Sequence, residues 1–322
     1  MLQMVAGYLF NGRPLRDRLR SRLHSTRGLP LPHYTAPTPR IACNAPRNLF
    51  VPPNPATLGA AALEATPAVA EVLSRLTQTP EIADAQQFYR WGRERFGQHW
   101  RYADLLTVLW AAATVDLPET YLEIGVLSGR SAAIVGAAAP DCAIFGFDLW
   151  LPDYAGIANL GPEFVRSELR KVGHRGAVTL VSGKSQDTLP DFLAERPDLY
   201  FDLITIDGDK SVDAAAADFA TALPRLKVGG IVVSDDVCLS PHLKEVWQKV
   251  VKRDARYVTW EFMDGWLGAA AAIRVADGPV RMSDFATGVG MLPQALPRSA
   301  EEAKNGGLRV PEEAAGRTTA RG

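Results

Sequence analysis

Cysteine is scarce in this chain: Cys43, Cys142 and Cys238 are the three among 322 residues. They lie far apart and make neither a C-x-x-C pair nor a Cys/His ligand spacing. Neither a disulfide framework nor a zinc site is indicated, and a reducing cytoplasm fits. No apolar run reaches the ~18–20 residues of a membrane span, so none is expected. The opening MLQMVAGYLF has no basic region ahead of it and no clear cleavage site, which argues against a signal peptide. A G-x-G-x-x-G loop is also missing, which counts against a nicotinamide dehydrogenase. His174 and His242 have no evident partner and receive no role.

Net charge is nearly absent too, at −1 overall, but it is unevenly spread. Residues 1–55 carry +7, the tail from Pro297 carries +1, and the body between them is left with −9. An acidic body excludes the basic stripe that a nucleic-acid surface needs. The arm segment RPLRDRLRSRLHSTR (13–27) spaces Leu15, Leu19 and Leu23 four apart among arginines. It reads as a short surface helix or frayed arm, the alternative being a basic amphipathic helix for membranes or targeting.

With 47% hydrophobic and 22% charged residues, the chain can bury one large core, with or without a small accessory domain. Eight prolines between Pro30 and Pro55, with no hydrophobic period, mark residues 1–55 as a basic, Pro-rich arm or linker. Residues 56–117 repeat apolar positions at helical spacing, as in Leu105, Leu106, Leu109 and Trp110, and are expected to form a helical cap.

The rhythm then changes over 118–278. Short β-rich runs alternate with helical ones: YLEIG, AIFGFD, AVTLVSG, YFDLITID and GIVVSDD are each followed by a helix. Two last strands, 256–263 and 267–276, are joined by three residues, which forces them antiparallel. The expected fold class is α/β: a Rossmann-like, doubly wound, mostly parallel seven-stranded sheet with an antiparallel C-terminal hairpin. Residues 279–322 form a C-terminal extension, expected to be disordered from about 295 on its Pro/Gly/Glu/Arg content.

In such sheets ligands lie beyond the carboxyl ends of the strands, where strand order reverses. The first strand runs into LEIGVLSGRS, with Glu123, Gly125, Gly129 and Ser131. Glycines let a turn pass close beneath a ligand. Glu123 would repel a pyrophosphate but suits a ligand bearing ammonium or sulfonium. Asp148 ends the second strand, placed to accept hydrogen bonds from ribose hydroxyls. The fourth and fifth strands deliver Asp207, Asp209, Asp235 and Asp236 to the same edge. Up to four carboxylates in a half-buried crevice must be partly protonated or neutralised by a cation. Oxygen donors alone select a hard divalent ion, Mg²⁺ first, with Ca²⁺ or Mn²⁺ as alternatives. The bland alternative is an Asp-Gly-Asp turn, with Asp236 capping the next helix.

The run from Tyr121 to Ala276 resembles a class I S-adenosylmethionine-dependent methyltransferase. Within that group it is similar to the cation-dependent O-methyltransferases, both the catechol and caffeoyl-CoA type and the macrolide and aminocoumarin sugar enzymes. VTLVSGKSQDTLPDF (178–192) matches the stretch where the catechol type holds adenine, here through Ser185 and Gln186. The resemblance implies Glu123 and Gly125 near the methionine part of S-adenosylmethionine, Ser131 at its carboxylate and Asp148 on its ribose. Gly129 and Asp207 border the same cofactor. It further implies Asp207, Asp235 and Asp236 as metal ligands, the Asp-Asp pair pointing to the sugar-modifying branch. Lys210 occupies the catalytic lysine position of the catechol type and Asp209 the acidic base position of the sugar branch; both stay open. Such an enzyme methylates a small hydroxylated acceptor, and its relatives commonly form homo-oligomers. Trp150, Tyr154, Asn159 and Trp266 are candidates for a lid. A metal-independent enzyme and a non-catalytic S-adenosylmethionine-binding protein are the rival expectations.

Overall fold

The structure is a computed structural model that describes residues 55–154, 157–263 and 267–275. The expected arm, the C-terminal extension and the hairpin residue Trp266 lie outside the described residues. Four helices come first: α1 (Pro55–Glu64), α2 (Thr66–Arg75), α3 (Pro80–Phe96) and α4 (Leu105–Asp116). Alternation follows, with β1 (Thr120–Ile124), α5 (Arg130–Ala138), β2 (Ala143–Asp148), α6 (Gly161–Lys171), β3 (Val178–Ser182) and α7 (Ser185–Ala194). Then come β4 (Phe201–Ile206), α8 (Val212–Ala222), β5 (Leu226–Asp235), α9 (Pro241–Trp247), β6 (Tyr257–Phe262) and β7 (Ala269–Arg274). None of the described helices is long and apolar enough to cross a membrane.

The seven strands stand in the order β3-β2-β1-β4-β5-β7-β6. β1 to β5 are parallel, and β7 runs antiparallel to both β5 and β6, as the short hairpin connection requires. The chain winds outward from β1 to β3 and then returns to place β4 on the other side of β1. The reversal of strand order therefore falls between β1 and β4. A ligand crevice is expected there.

Side chains on a strand alternate between faces, and each buried strand feeds two apolar layers. Tyr121 of β1 and Ile231 and Val233 of β5 join one layer with Leu58, Leu109 and Ile134. Leu122, Ile124 and Val232 join the opposite layer with Leu189, Phe219 and Trp247. Helices α1 and α4, expected as a cap, thus share the core of the sheet itself. Gly59 of α1 lies so close to Trp260 of β6 that a Cβ there would sit 2.4 Å from the indole. Helix α4 is held by a reciprocal cap: Asp104 accepts from the Thr107 N–H (3.0 Å) while the Thr107 hydroxyl accepts from the Asp104 N–H (2.9 Å).

Helix α8 stops at Ala222. Pro224 sits in a single 3₁₀ turn, and Leu226 already opens β5. Proline removes an N–H donor and ends the α-helix there.

The switch point is drawn tight by two backbone bonds: Gly125 N–H to the Phe147 carbonyl and Asp207 N–H to the Ile124 carbonyl, each 2.9 Å. Gly125 has φ +89°, and a Cβ on it would lie 2.2 Å from the Asp207 carbonyl oxygen. Both the backbone angle and the space demand glycine. Gly125→Ala is expected to lower stability by about 3 kcal/mol, read from urea unfolding.

Candidate functional site

Glu123 points into the layer beneath the β1–α5 turn and is fully buried. Its Oε1 accepts a short hydrogen bond from the Ser131 hydroxyl, and its Oε2 has no partner. Burial pushes the carboxyl up to about 8, the Ser131 bond opposing and Asp207 and Asp148 adding to the rise. Ser131, expected at a cofactor carboxylate, spends its single O–H on Glu123 in this structure. Gly129 caps α5 with φ +75°, its missing Cβ giving room to Val165.

Asp148 lies on the same edge, at the end of β2. One oxygen accepts the Leu127 N–H at 2.7 Å; the other accepts the Trp150 N–H at 2.6 Å and the Asn159 amide at 3.2 Å. It therefore closes the β1–α5 turn as well as standing beside it. Of the four lid candidates, Trp150 packs against the core, Tyr154 is exposed and Asn159 bonds Asp148.

The acidic rim is real in three of its four members. One carboxylate oxygen from each of Asp207, Asp235 and Asp236 falls within 4.8 Å of the others. The fourth expected member, Asp209, is a correction. It is exposed, its carboxylate accepts the Ser211 N–H at 2.7 Å in a local turn, and it is not among the three that come together. The expectation that Asp236 caps the next helix also fails, because Ser240 does so through the Leu243 N–H at 3.2 Å. Asp236 instead adopts φ +59°, a left-handed conformation that Asp tolerates better than most residues.

Lys210 reaches into the rim, its ammonium 2.5 Å from Asp207 Oδ1 and 2.8 Å from Asp236 Oδ2. Burial pulls its pKa down, but Asp207, Asp236 and Asp235 together outweigh that and hold it above the ordinary lysine value. Burial raises Asp207, partly offset by Lys210, and raises Asp235 further with the neighbouring carboxylates. Three carboxylates share the rim with one ammonium, so full ionisation would leave negative charge that Lys210 does not offset. Among the described residues, the buried carboxylate oxygens without a partner are Glu123 Oε2, Asp218 Oδ2 and Asp236 Oδ1. All three lie at this edge.

Ser185 and Gln186 open α7 at the end of β3. There the Gly183 N–H donates to the Asp148 carbonyl at 3.0 Å. Both side chains bond to Asp218, a buried residue of α8 that sequence reasoning missed. The second aspartate of VDAAAADFATA, directly after a run of four alanines, was the available signal.

Residues 122–237, well under half of the chain, match a family model described as a methyltransferase domain. Over that segment the chain is similar to methyltransferase domains. Every site residue above lies within the matched segment. No curated protein sequence matches the chain. Among solved structures, the chain is similar to the apo form of CalS11, a TDP-rhamnose 3'-O-methyltransferase of calicheamicin biosynthesis. Identity there is 22% and TM-score 0.43, over 66% of this chain and 94% of that one. It is similar to the TomG O-methyltransferase of Streptomyces achromogenes in complex with SAM, at 20% identity and TM-score 0.43, over 66% of this chain and 90% of that one. SAH-bound PaMTH1, a methyltransferase of Podospora anserina, shows 19% identity and TM-score 0.42, over 71% of this chain and 99% of that one. At such scores these likenesses decide nothing about substrate, cofactor or assembly.

Glu123 is a pH-sensitive group that stability can report. Glu123 rises from an ordinary 4.5 to about 8 on folding, so the folded state binds its proton more tightly between those values. Its contribution is complete at low pH and is lost as pH climbs through that window. Glu123→Gln is therefore expected to gain stability relative to wild type between about pH 5 and about pH 8, read as diverging urea midpoints.

Proposed function

We propose that the chain is an O-methyltransferase that moves a methyl group from S-adenosylmethionine to the hydroxyl of a small metabolite, assisted by a divalent cation. The observation that carries this reading is the trio of orphaned, buried carboxylate oxygens at the switch-point edge. Unpaired buried acceptors are costly, and they suit cationic or N–H-bearing ligands.

The donor fits the residues present. Glu123 Oε2 is positioned for an ammonium, the Gly125 turn packs against the Asp207 backbone at the switch point, and Asp148 stands at the next strand end for ribose hydroxyls. When bound, S-adenosylmethionine would supply a methyl group already activated on sulfonium. The cation fits as well: three carboxylates within 4.8 Å, one with a free buried oxygen, form an all-oxygen donor set for a hard ion. Asp207, Asp235 and Asp236 would hold it, and when bound it would supply Lewis acidity that lowers the pKa of the acceptor hydroxyl. Lys210 lies inside the rim and Asp209 is exposed, so the reading assigns the base to Lys210; a divalent ion held by Asp207 and Asp236 would take both carboxylates from the ammonium and bring its raised pKa down.

Lys210 also favours a second reading. Its ammonium already bridges Asp207 and Asp236, and so lowers the need for a metal. In that case methyl transfer would be metal-independent. Calorimetric titration of Mg²⁺ into cofactor-loaded protein separates the two, since the first requires binding and the second none.

Methyl transfer from labelled S-adenosylmethionine to a panel of hydroxylated small molecules tests the main reading. Addition of EDTA, and separately Asp235→Ala, is expected to lower the rate ~10²-fold or more. Activity that survives both would overturn the metal role. Lys210→Arg, which keeps the charge but not a usable base, is expected to cost about 10²-fold or more in kcat while cofactor affinity is held.

A further inference from the structure

Asp218 has two features that packing does not explain. It is 1% exposed in an alanine-rich helix, and its Oδ2 has no partner. A buried carboxylate oxygen left unpaired costs about 1–3 kcal/mol, so a helix needing only to fill space would not keep it. Its Oδ1 accepts from the Ser185 hydroxyl at 2.7 Å and from Gln186 Nε2 at 2.9 Å. Gln186 Nε2 also donates to the Ser185 hydroxyl at 2.9 Å.

These bonds settle which way the Gln186 amide faces. A free glutamine side chain can present either its NH₂ or its carbonyl to a ligand, the two ends being nearly equal in size. A carboxylate offers no hydrogen, so only the NH₂ end can lie against Asp218. Both amide N–H bonds are then directed inward, one to Asp218 and one to Ser185. The group left to face outward is Gln186 Oε1, an acceptor. Gln186 is half-exposed at the start of α7, on the edge shared with Asp148, so that acceptor is available to a ligand.

Asp218 is itself held in place. A Cβ on Gly208 would lie 2.9 Å from its Oδ2, so the carboxylate is wedged beneath the turn that carries Asp207. Burial raises its pKa to about 6, against the bonds from Ser185 and Gln186. A proton taken up at Oδ2 would leave Oδ1 an acceptor, and the amide would keep its orientation.

We propose that Asp218 is a positioning residue that locks the Gln186 amide with its carbonyl outward, and so makes the site select a 6-amino purine over a 6-oxo purine. An exocyclic NH₂ meets that carbonyl as donor to acceptor. An oxo group at the same place sets two acceptors against each other, which is repulsive and leaves both unpaired. The inference rests on the S-adenosylmethionine reading above and deepens it by naming the group that decides which base is accepted.

The test is calorimetry on the full chain with S-adenosylhomocysteine and its deaminated counterpart, S-inosylhomocysteine. Wild type is expected to prefer the adenosyl compound by about tenfold or more. Asp218→Asn offers an NH₂ that lets the Gln186 carbonyl turn inward, and the preference is expected to shrink to near unity or reverse. Ser185→Ala leaves the Asp218–Gln186 bond in place and is expected to keep the preference. A folded Asp218→Asn protein with the wild-type ratio would overturn the proposal, as would a wild type that binds both compounds alike. Should Asp218→Asn not fold, Gln186→Ala decides: a ratio near unity supports the proposal and an unchanged ratio overturns it. A wild type that binds neither compound defeats the cofactor reading itself, an outcome distinct from loss of base selectivity alone.

Discussion

Negative charge kept in a half-dry crevice is the constraint on which the rest of this site depends. Glu123, Asp207, Asp235, Asp236 and Asp218 all approach the carboxyl edge of one sheet, between strands that run side by side. In water these groups would ionise and repel one another weakly; at the edge of a packed core each is penalised for its charge. Lys210 offsets part of the penalty at Asp207 and Asp236, and Ser131, Ser185 and Gln186 offset more by donating hydrogen bonds. The offset is incomplete, since three oxygens have no partner. A methyl donor with sulfonium and ammonium groups, a base with an exocyclic amine, and a hard cation are the chemistries that would complete it.

The scaffold makes such a concentration tolerable. Two apolar layers, one led by Leu58, Leu109 and Ile134 and the other by Leu189, Phe219 and Trp247, clamp the sheet from both faces. Hydrophobic burial on that scale supplies stability that a site can draw down through buried acids and left-handed residues. Gly125 and Asp236 are the two backbone positions where the drawdown is visible. Both lie where a loop must pass close to another strand or turn a carboxylate inward.

Much of this architecture was legible in the sequence because it rests on local periodicity. Five βα alternations followed by a three-residue hairpin connection leave few topologies, and right-handed crossovers reduce them further. Glu123, Asp148, Asp207 and the Asp235-Asp236 pair could be placed on one edge because each ends a β-rich run. Other details were not legible. Closeness in sequence placed Asp209 with Asp207, but only the folded turn shows its carboxylate accepting the Ser211 N–H. Helical spacing in residues 56–117 reveals an apolar face without revealing what that face meets; α1 and α4 meet the sheet.

Residue order alone determined the alternation of strands and helices, the glycine turn after β1 and the identity of the acids at the strand ends, since each depends on neighbours a few positions away. Only the tertiary structure decided which acids share a space, that Ser131 bonds Glu123, that Lys210 reaches across to Asp236, and that Asp218 governs Ser185 and Gln186. Those outcomes depend on residues tens of positions apart being pressed into low-dielectric contact, where a hydrogen bond or an ion pair a few ångströms long outweighs any local preference.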